Sequence, residues 1–381
     1  MNTIIGYYST KFGELWDKSL DNLIQEAIEG VLSATKLEKR QIDAIFFGNM
    51  LGGIVENSLL LSAHVAELID VHIPVYRAEA ACASGGMAFH MAHEYLKANP
   101  NKTVIVLGAE KMTDISAEEV MFALSAAAAE EEQQAGLTFP ALYAMMAQVY
   151  LKTYGYTEEH LAYISIKNHF HGTMNKNAHF QRTITMEQAL GSSYVAYPLK
   201  VLDSSPISDG AAALVVTNNP QLNSATKVNI LASEVATDSV SLAKRANLIE
   251  LEATKIAGEK AFHTAGLSQK DISIMEVHDC FSIAEIFALE DLGFWKKGEG
   301  GERAKEMSTC FGVGSNLIVN TSGGLKACGH PVGSTGIKQL GEIFLQLTGQ
   351  AEARQVKTPK YGLAHNVGGS GGVAVVSVLG N

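Results

Sequence analysis

Leu37-Glu-Lys-Arg-Gln-Ile42 and Leu267-Ser-Gln-Lys-Asp-Ile272 are two copies of one pattern, in which four polar residues separate a leucine from an isoleucine. A segment with helical spacing of its apolar residues precedes each copy. A short apolar segment follows each one, Ala44–Gly48 in the first case and Ile274–His278 in the second. Such short apolar runs are typical of buried strands. The repeated order of helix, turn and strand predicts an internal duplication of α/β units.

Further paired segments support two related halves. Late strands are predicted at Thr103–Gly108 and Tyr361–His365, and helices rich in small residues at Cys82–Tyr95 and Gly324–Leu347. Because short strands alternate with helices, we expect a mixed, mostly parallel sheet that is buried on both faces.

The predicted boundary between the halves follows residue 222. The N-terminal half then comprises residues 1–222 and the C-terminal half residues 223–381. The segment from about 112 to 199 has no counterpart in the second half and is rich in helical patterns. We therefore expect an inserted, helix-rich loop domain within the first half.

The composition favours a soluble globular protein. The chain has 381 residues, of which 47% are hydrophobic and 18% charged, and its formal net charge is -11. No run of lysine and arginine exceeds two residues, so nucleic acid and anionic membranes are unfavourable partners. No apolar segment is long enough for a membrane span. The four cysteines lack Cys-x-x-Cys spacing, which predicts free thiols, no metal site and a reducing, cytoplasmic location.

Cys82 lies in Ala78-Glu-Ala-Ala-Cys82-Ala-Ser-Gly-Gly, where only small side chains flank the sulfur and a substrate could approach it closely. The cysteine opens a predicted helix, and the positive end of the helix dipole is expected to lower the pKa of its thiol. A small cysteine packed in an apolar core is the alternative interpretation.

Three downstream motifs contain the other groups that covalent acyl transfer requires. They are Val277-His-Asp-Cys-Phe-Ser282, the glycine-rich segment Asn320–Gly336, and His365-Asn-Val-Gly-Gly369. With Cys82 they supply a nucleophile, a base, an acid and backbone amides that can stabilise an oxyanion.

On these motifs the chain resembles the thiolase family, and within it the sterol-carrier-protein-type thiolases. The resemblance covers nearly the whole chain and includes Thr10-Lys-Phe-Gly13, Cys82-Ala-Ser-Gly85, Ser205-Pro-Ile-Ser-Asp-Gly210, His278-Asp-Cys-Phe281 and Gly329-His-Pro331. It implies the duplicated αβαβα five-layer thiolase fold with an inserted loop domain. It also implies a homodimer or a dimer of dimers, and no permanently bound cofactor.

The resemblance assigns roles to individual residues. It makes Cys82 the acylated nucleophile and His330 the base that activates it. It places His278 beside His330 as a donor to the thioester oxygen of the enolate-forming partner. The backbone amides of Cys82 and Gly368 would form a second oxyanion hole.

The acid/base group departs from the common family pattern. Most thiolases carry a cysteine at the position where this chain has Asn366, and an asparagine side chain cannot act as an acid. The sterol-carrier-type subgroup supplies its cysteine from the His-Asp-Cys-Phe motif, which points to Cys280. Cys328, two residues before His330, is a further departure. We interpret it as a packing residue, with a redox-sensitive thiol as the alternative.

Contacts to coenzyme A are expected from the insertion. His169 and Lys167 are candidate contacts for its phosphates, and Met146 is a candidate for the acyl pocket, with a core position as the alternative.

The favoured function is thiolytic cleavage of 3-ketoacyl coenzyme A, or the reverse Claisen condensation, through an acyl-cysteine intermediate. One alternative is a carbon-acyltransferase or ketoacyl-condensing subunit that works with a small zinc-ribbon/OB-fold partner. The other is a non-catalytic subunit that binds acyl coenzyme A.

Overall fold

The computed structural model describes residues 1–222 and 226–381. Its strands are β1 (Thr3–Ser9), β2 (Ala44–Gly48), β3 (Val75–Ala78), β4 (Thr103–Glu110), β5 (Tyr194–Ala196), β6 (Leu199–Lys200), β7 (Gly210–Thr217), β8 (Val228–Thr237), β9 (Ile274–Glu276), β10 (Ile318–Val319), β11 (Tyr361–Gly368) and β12 (Val373–Gly380). Its α-helices are α1 (Leu20–Thr35), α2 (Leu61–Leu68), α3 (Ser84–Ala98), α4 (Ala117–Ser125), α5 (Glu130–Gln134), α6 (Phe139–Tyr154), α7 (Glu158–Gly172), α8 (Met186–Gly191), α9 (Glu252–Ala265), α10 (Ser282–Asp291), α11 (Gly300–Lys305), α12 (Gly324–Cys328) and α13 (Thr335–Leu347).

The strand order shows the duplication. Ten strands form one sheet in the order β10-β9-β11-β12-β8-β1-β7-β4-β2-β3. These strands form two sets of five, the first with β1, β2, β3, β4 and β7 and the second with β8 to β12. When the strands of each set are numbered along the chain, both sets have the spatial order third, second, fourth, fifth, first. The two sets meet where β1 pairs with β8, with Thr3 opposite Asn229 and Ile4 opposite Val228. The same topology therefore occurs twice, as the repeated sequence pattern predicts.

The expectation of a mostly parallel sheet is wrong. The parallel pairs are β2 with β3 and β4, and β9 with β10 and β11. The other five pairings of the large sheet are antiparallel. In each set the fifth strand returns antiparallel to the fourth, and the first strand pairs antiparallel with the fifth. Only the three strands that helices connect in sequence are parallel.

The layers follow from the helix contacts. Helices α3 and α13 contact each other and strands of both sets, so they form the central layer. Apolar residues of both helices, such as Phe89 and Leu340, share one core with Val106 and Leu379 from different sets. Helix α1 packs on the outer face of the first strand set through a core that includes Leu23 and Ile28. Helices α9 and α10 pack on the outer face of the second strand set. This arrangement confirms the predicted α/β five-layer fold.

Local predictions agree with the elements to within a few residues. Helix α1 begins directly after Ser19, whose side chain accepts a hydrogen bond from the backbone of Asn22. The predicted helix over Gly324–Leu347 is instead two helices. Gly329 has a φ of 106°, and Pro331 follows two residues later, so the backbone leaves the helix between α12 and α13. This break places His330 on a loop.

Residues 112–200 contain helices α4 to α8 and the small β5–β6 hairpin. The predicted boundary after residue 222 borders residues 223–225, which lie outside the described part of the chain, so the division into halves stays a prediction. Among the described helices, none combines the length and the apolar character needed to cross a bilayer.

Candidate active site

Cys82, His278 and His330 come together although 196 or more residues separate the cysteine from either histidine. The sulfur of Cys82 and one ring nitrogen of each histidine lie within 4.8 Å of one another. The ring centroids of the two histidines are 5.1 Å apart, with the rings nearly perpendicular. The sulfur comes from the β3–α3 connection, His278 from the loop after β9, and His330 from the loop between α12 and α13. Each group therefore lies on a short loop held by rigid elements.

A strained turn holds Cys82. Ala81, directly before it, has a φ of 50°, a conformation that residues with a Cβ rarely adopt. The hydroxyl of Ser84 stabilises the turn by accepting a hydrogen bond from the amide of Ala80 (3.0 Å) and donating one to the carbonyl of Ala81 (2.6 Å). The small residues around Cys82 thus let the chain turn sharply and leave the sulfur open to the cavity.

The pKa of Cys82 differs from the sequence expectation. Burial raises the pKa of this thiol to about 12, and the carboxyl of Glu110 adds to the increase. Hydrogen bonds from the backbone amides of Gly369 and of Cys82 itself act in the opposite direction but do not compensate. Helix α3 begins two residues after the cysteine, and its dipole is weaker than the cost of desolvating a thiolate. The resting site therefore holds a neutral thiol.

His330 has the arrangement of a base. Its Nδ1 lies 2.7 Å from the hydroxyl oxygen of Thr335, and that hydroxyl donates to the carbonyl of Pro331 (2.9 Å). The oxygen of Thr335 is then free to accept the Nδ1 proton of His330, which leaves a lone pair on Nε2. Burial, together with the ammonium of Lys338, lowers the pKa of His330 to about 3, so the imidazole is neutral. Its Nε2 is buried and has no hydrogen-bond partner among the described residues.

His278 is also a neutral imidazole. Burial lowers its pKa well below the usual value, and His330 adds to the decrease. The side-chain amide of Asn366 lies 3.2 Å from its Nδ1, whereas its Nε2 has no partner in the described part of the chain. Each of the two histidines beside Cys82 therefore keeps one buried ring nitrogen without a partner in the described part of the chain.

Cys280 lies beside this cluster and contacts the insertion. Burial raises the pKa of its thiol above the usual range, and the nearby Cys82 contributes. The hydroxyl of Tyr143, from α6, forms a hydrogen bond with the Cys280 sulfur. The ring of Tyr143 packs 4.9 Å from that of Phe281, which fixes the hydroxyl near the thiol. Cys280 is therefore a protonated thiol at neutral pH.

Asp279 connects two of the catalytic loops. Its carboxylate accepts hydrogen bonds from the amides of Leu325 (2.6 Å) and Lys326 (3.3 Å), and from the side chain of Asn168 (2.7 Å). The loop that carries His278 and Cys280 is thereby tied to the start of α12, which leads to His330. The middle residue of the His-Asp-Cys motif thus has a structural function.

An apolar cavity of about 520 Å³ leads to Cys82, Cys280 and His330. It lies between the insertion and the rest of the protein, with Met121, Phe139 and Tyr143 on the insertion side. Arg182 and Lys326 also line it, and no carboxylate does so among the described residues. Burial lowers the pKa of Lys326 to about 8. The ammonium of Lys326 lies 5.6 Å from the centroid of Phe180. The cavity thus combines an apolar wall with two cations.

None of the three predicted coenzyme A or acyl contacts belongs to the cavity lining among the described residues. Lys167 is buried and forms an ion pair with Glu285 (2.7 Å), so a protein carboxylate already neutralises it. Met146 lies in a core cluster and does not line the cavity. His169 is buried with its Nδ1 3.0 Å from the carbonyl of Arg182, and it stacks on Phe180, which lines the cavity. We therefore correct the assignment of Lys167 and Met146 as coenzyme A or acyl contacts.

The predicted second oxyanion hole, formed by the amides of Cys82 and Gly368, stays a prediction, but the structure adds Gly369 as a candidate donor. The amide of Gly369, rather than that of Gly368, donates to the sulfur of Cys82. Gly368 is the last residue of β11 and pairs with Val373, whereas Gly369 lies in the following turn with a φ of 62°. Cys328 lines a separate small cavity of about 30 Å³ and packs against Phe12 and Ala178, which supports a packing role.

Sequence reasoning missed several residues of the site. Thr335 stands only five residues after His330 in the glycine-rich segment Asn320–Gly336, but the contact of its hydroxyl with Nδ1 of His330 depends on how that loop folds. Tyr143 was a candidate for the acyl pocket, and it does line the cavity, but its hydrogen bond with Cys280 was not expected. Lys326 could have been found, since it stands four residues before His330 on the same glycine-rich segment. Asn366 was noticed only for the cysteine it replaces, although it contacts both Cys82 and His278.

The fold, with a cysteine and two histidines gathered at its cavity, is that of a thiolase. The thiolase N-terminal domain matches residues 2–220, and the thiolase C-terminal domain-like family matches residues 234–381. The chain belongs to the thiolase family.

Two relatives and one solved structure illustrate the similarity. The chain is 42% identical over 383 residues to the acetyl-CoA acetyltransferase of Methanothermobacter thermautotrophicus, covering 99% of this chain and 98% of the relative. It is 29% identical over 391 residues to sterol carrier protein 2 of Homo sapiens, covering 98% of this chain and 70% of the relative. Its fold matches the solved structure of the Ltp2-ChsH2(DUF35) aldolase with a TM-score of 0.85 at 22% identity, covering 100% and 97% of the two chains. The chain is thus a thiolase-type acyltransferase.

Proposed function

We propose that the enzyme cleaves 3-ketoacyl coenzyme A, or forms it by Claisen condensation, through an acyl group carried on Cys82. The observation that carries this proposal is the convergence of the Cys82 sulfur with ring nitrogens of His278 and His330, each of which keeps an unpaired Nε2, beside a second thiol at an apolar cavity. These are the nucleophile, base, oxyanion donor and acid that the reaction requires.

In the cleavage direction, Nε2 of His330 takes the proton of the Cys82 thiol as the sulfur attacks the keto carbon. The amides of Cys82 and Gly369 hold the oxyanion that forms. The bond between Cα and the keto carbon then breaks, and its electron pair forms the enolate of acetyl coenzyme A. Nε2 of His278 and the protonated His330 donate to the enolate oxygen.

Cys280 then protonates Cα, which releases acetyl coenzyme A and leaves the acyl group on Cys82. The thiol of a second coenzyme A gives its proton to Cys280 and attacks the acyl carbon. Cys82 leaves as a thiolate, which takes the proton that His330 has held. The thiol of Cys280 suits its part, because its raised pKa keeps it protonated at neutral pH.

Coenzyme A thioesters are the proposed substrates, and no permanently bound cofactor is proposed. The protein has a net charge of -11, yet the charged side chains of the cavity, Arg182 and Lys326, are cations. A cationic cavity in an acidic protein favours a substrate that carries phosphates.

Acyl loading tests the proposal. Incubation with acetyl coenzyme A should add one acetyl group, and peptide mapping by mass spectrometry should place it on Cys82. The Cys82→Ser variant is the control and should remain unmodified. An acetyl group on Cys280, Cys310 or Cys328, with Cys82 free, would contradict the assignment.

A second candidate is a subunit of a larger complex. The name of the solved neighbour joins two proteins, Ltp2 and ChsH2, which favours the idea that a chain of this fold works with a small partner such as a zinc-ribbon/OB-fold protein. The purified chain decides between the candidates: cleavage of acetoacetyl coenzyme A without any partner favours the independent thiolase. A non-catalytic role is disfavoured, because a binding subunit would not need the complete set of Cys82, His278, Cys280 and His330.

A homodimer is proposed as the minimal assembly. Strand β3 lies at one end of the large sheet with one edge unpaired within the described chain, and Ile54, Leu59 and Leu60 expose apolar side chains. Light scattering after gel filtration measures the mass directly. We also propose a cytoplasmic location, since all four cysteines are free thiols.

A further inference from the structure

The side-chain amide of Asn366 lies at the centre of the site and forms three hydrogen bonds. Its Oδ1 accepts from the backbone amide of Gly86 (3.0 Å). Its Nδ2 donates to the backbone carbonyl of Cys82 (3.0 Å) and lies 3.2 Å from Nδ1 of His278. The residue is buried, with 3% of its surface exposed.

Backbone partners fix which end of this amide is nitrogen. The amide of Gly86 can only donate, so the atom facing it must be the oxygen of Asn366. The carbonyl of Cys82 can only accept, so the atom facing it must be the nitrogen. Glycines of both central helices form the slot for this amide. A Cβ at Gly86 would lie 2.8 Å from Oδ1 of Asn366, and a Cβ at Gly336 would lie closer still.

This orientation determines the tautomer of His278. One proton of the Asn366 nitrogen points to Cys82 and the other to Nδ1 of His278, so Nδ1 must carry a lone pair. A neutral imidazole has a single N–H, which is therefore on Nε2. That nitrogen is buried and lacks a hydrogen-bond partner within the described residues.

The same orientation bears on metal binding. A thiolate and two imidazoles whose donor atoms lie within 4.8 Å of one another match the ligand types of Zn²⁺. A metal needs a lone pair from each ligand, and Nε2 of His278 carries a proton instead. Cys82 and His330 alone offer two ligands, which is fewer than stable zinc sites use.

We propose that Asn366 is a positioning residue that holds His278 as an Nε2–H donor and thereby prevents the three side chains from forming a zinc site. The use of that N–H on the enolate oxygen rests on the proposed function. The tautomer and the metal exclusion rest on the hydrogen bonds of Asn366 alone.

Nitrogen NMR of the wild-type protein, labelled with ¹⁵N-histidine, tests the tautomer without any variant. The His278 signals are assigned by their loss in His278→Gln. We expect a protonated Nε2 and an unprotonated Nδ1, and a proton on Nδ1 would overturn the proposal. The Asn2→Asp variant is the matched control, because the side-chain amide of Asn2 lies 3.1 Å from Nδ1 of His93, outside this site, and its replacement should leave the His278 signals unchanged.

Asn366→Asp tests the metal exclusion by a gain of binding. A carboxylate has nearly the shape of the amide but accepts a proton from Nδ1, which would free the lone pair on Nε2. Supporting partners of metal ligands change metal affinity by about 10–100-fold, so we expect Zn²⁺ to bind the variant at least about tenfold more tightly than the wild type. Calorimetry with Zn²⁺ alone measures this affinity, and circular dichroism confirms folding.

Asn366→Asp should also slow the exchange of the Cα hydrogens of acetyl coenzyme A with solvent by about 10²-fold, which is the usual effect of removing one oxyanion donor. Equal Zn²⁺ affinity in the folded variant and the wild type would overturn the metal exclusion. If NMR finds the expected tautomer of His278 but Cys82 accepts no acyl group, the proposed function is refuted and this inference still stands.

Discussion

Replacing Cys280 with alanine should separate the two halves of the catalytic cycle. Acylation of Cys82 by acetyl coenzyme A needs the nucleophile, His330 and the backbone amides, none of which the substitution removes. Carbon–carbon bond formation and Cα-hydrogen exchange need in addition a group that takes and returns the Cα proton. Cys280 is the thiol placed to do so, next to Cys82 and hydrogen-bonded to Tyr143.

The expected loss of exchange is large. General acid–base groups contribute about 10²–10⁴-fold to the rate of the step in which they transfer the proton. We expect at least about 10²-fold slower exchange of acetyl coenzyme A hydrogens with solvent deuterium, followed by mass spectrometry. Acyl loading of Cys82, followed in parallel, should stay near the wild-type rate. Cys328→Ala is the matched control, since Cys328 is also buried but lies outside the cavity lining.

The pH dependence adds a second criterion. Exchange begins with Cys280 as a thiolate, and burial raises the pKa of this thiol. Below that pKa the thiolate fraction rises tenfold per pH unit, so exchange by the wild type should increase with pH without a plateau up to about pH 9. Exchange at the wild-type rate in Cys280→Ala would refute the reasoning and make His278 the next candidate.

Three further predictions concern other residues of the site. His330→Ala should lower kcat by on the order of 10²-fold or more, because a base acts mainly in the transition state; a normal kcat with raised KM in steady-state kinetics would mean a binding role only. Alkylation of Cys82 by iodoacetamide, followed by intact mass, should accelerate about tenfold per pH unit from pH 7 to 9, because the pKa of its thiol is raised to about 12. A rate that is already constant above pH 7 would indicate a resting thiolate. Lys326→Met should raise KM for acetoacetyl coenzyme A more than it lowers kcat. Arg182→Met serves as the comparison, because Arg182 is the more exposed of the two cations. Equal kinetics in Lys326→Met and the wild type would mean that Lys326 does not bind substrate.

Much of the fold could be predicted because it repeats. The pattern Leu37–Ile42 recurs at Leu267–Ile272, and the strand order of the two sets is the same. The strand directions could not be predicted in this way. Whether β7 runs parallel or antiparallel to β4 depends on how the chain returns from residues 112–200, and an apolar run has the same appearance in both cases.

The site was predictable where chemistry lies in a local motif. Cys82, His278 and His330 each stand in a short segment that contains the functional atom, and the structure brings them together. The pKa of Cys82 was not predictable, because desolvation depends on what the fold packs around the sulfur. Lys167 was misread for a related reason. Its partner Glu285 lies more than a hundred residues away and is invisible to a reading of neighbouring residues.

The position of the central helices affects how the chain can fold during translation. Helix α3 contacts β8 and β12, and α13 contacts β1, β4 and β7, so each helix completes the interior of the other strand set. When only about the first two hundred residues have left the ribosome, the nascent chain contains α3 but not β8 and β12, the strands that cover the second face of this helix. The nascent chain then exposes an apolar surface until the last strand emerges. The two strand sets thus repeat one topology, but neither completes its core alone, and truncated products of this chain should aggregate or require chaperones.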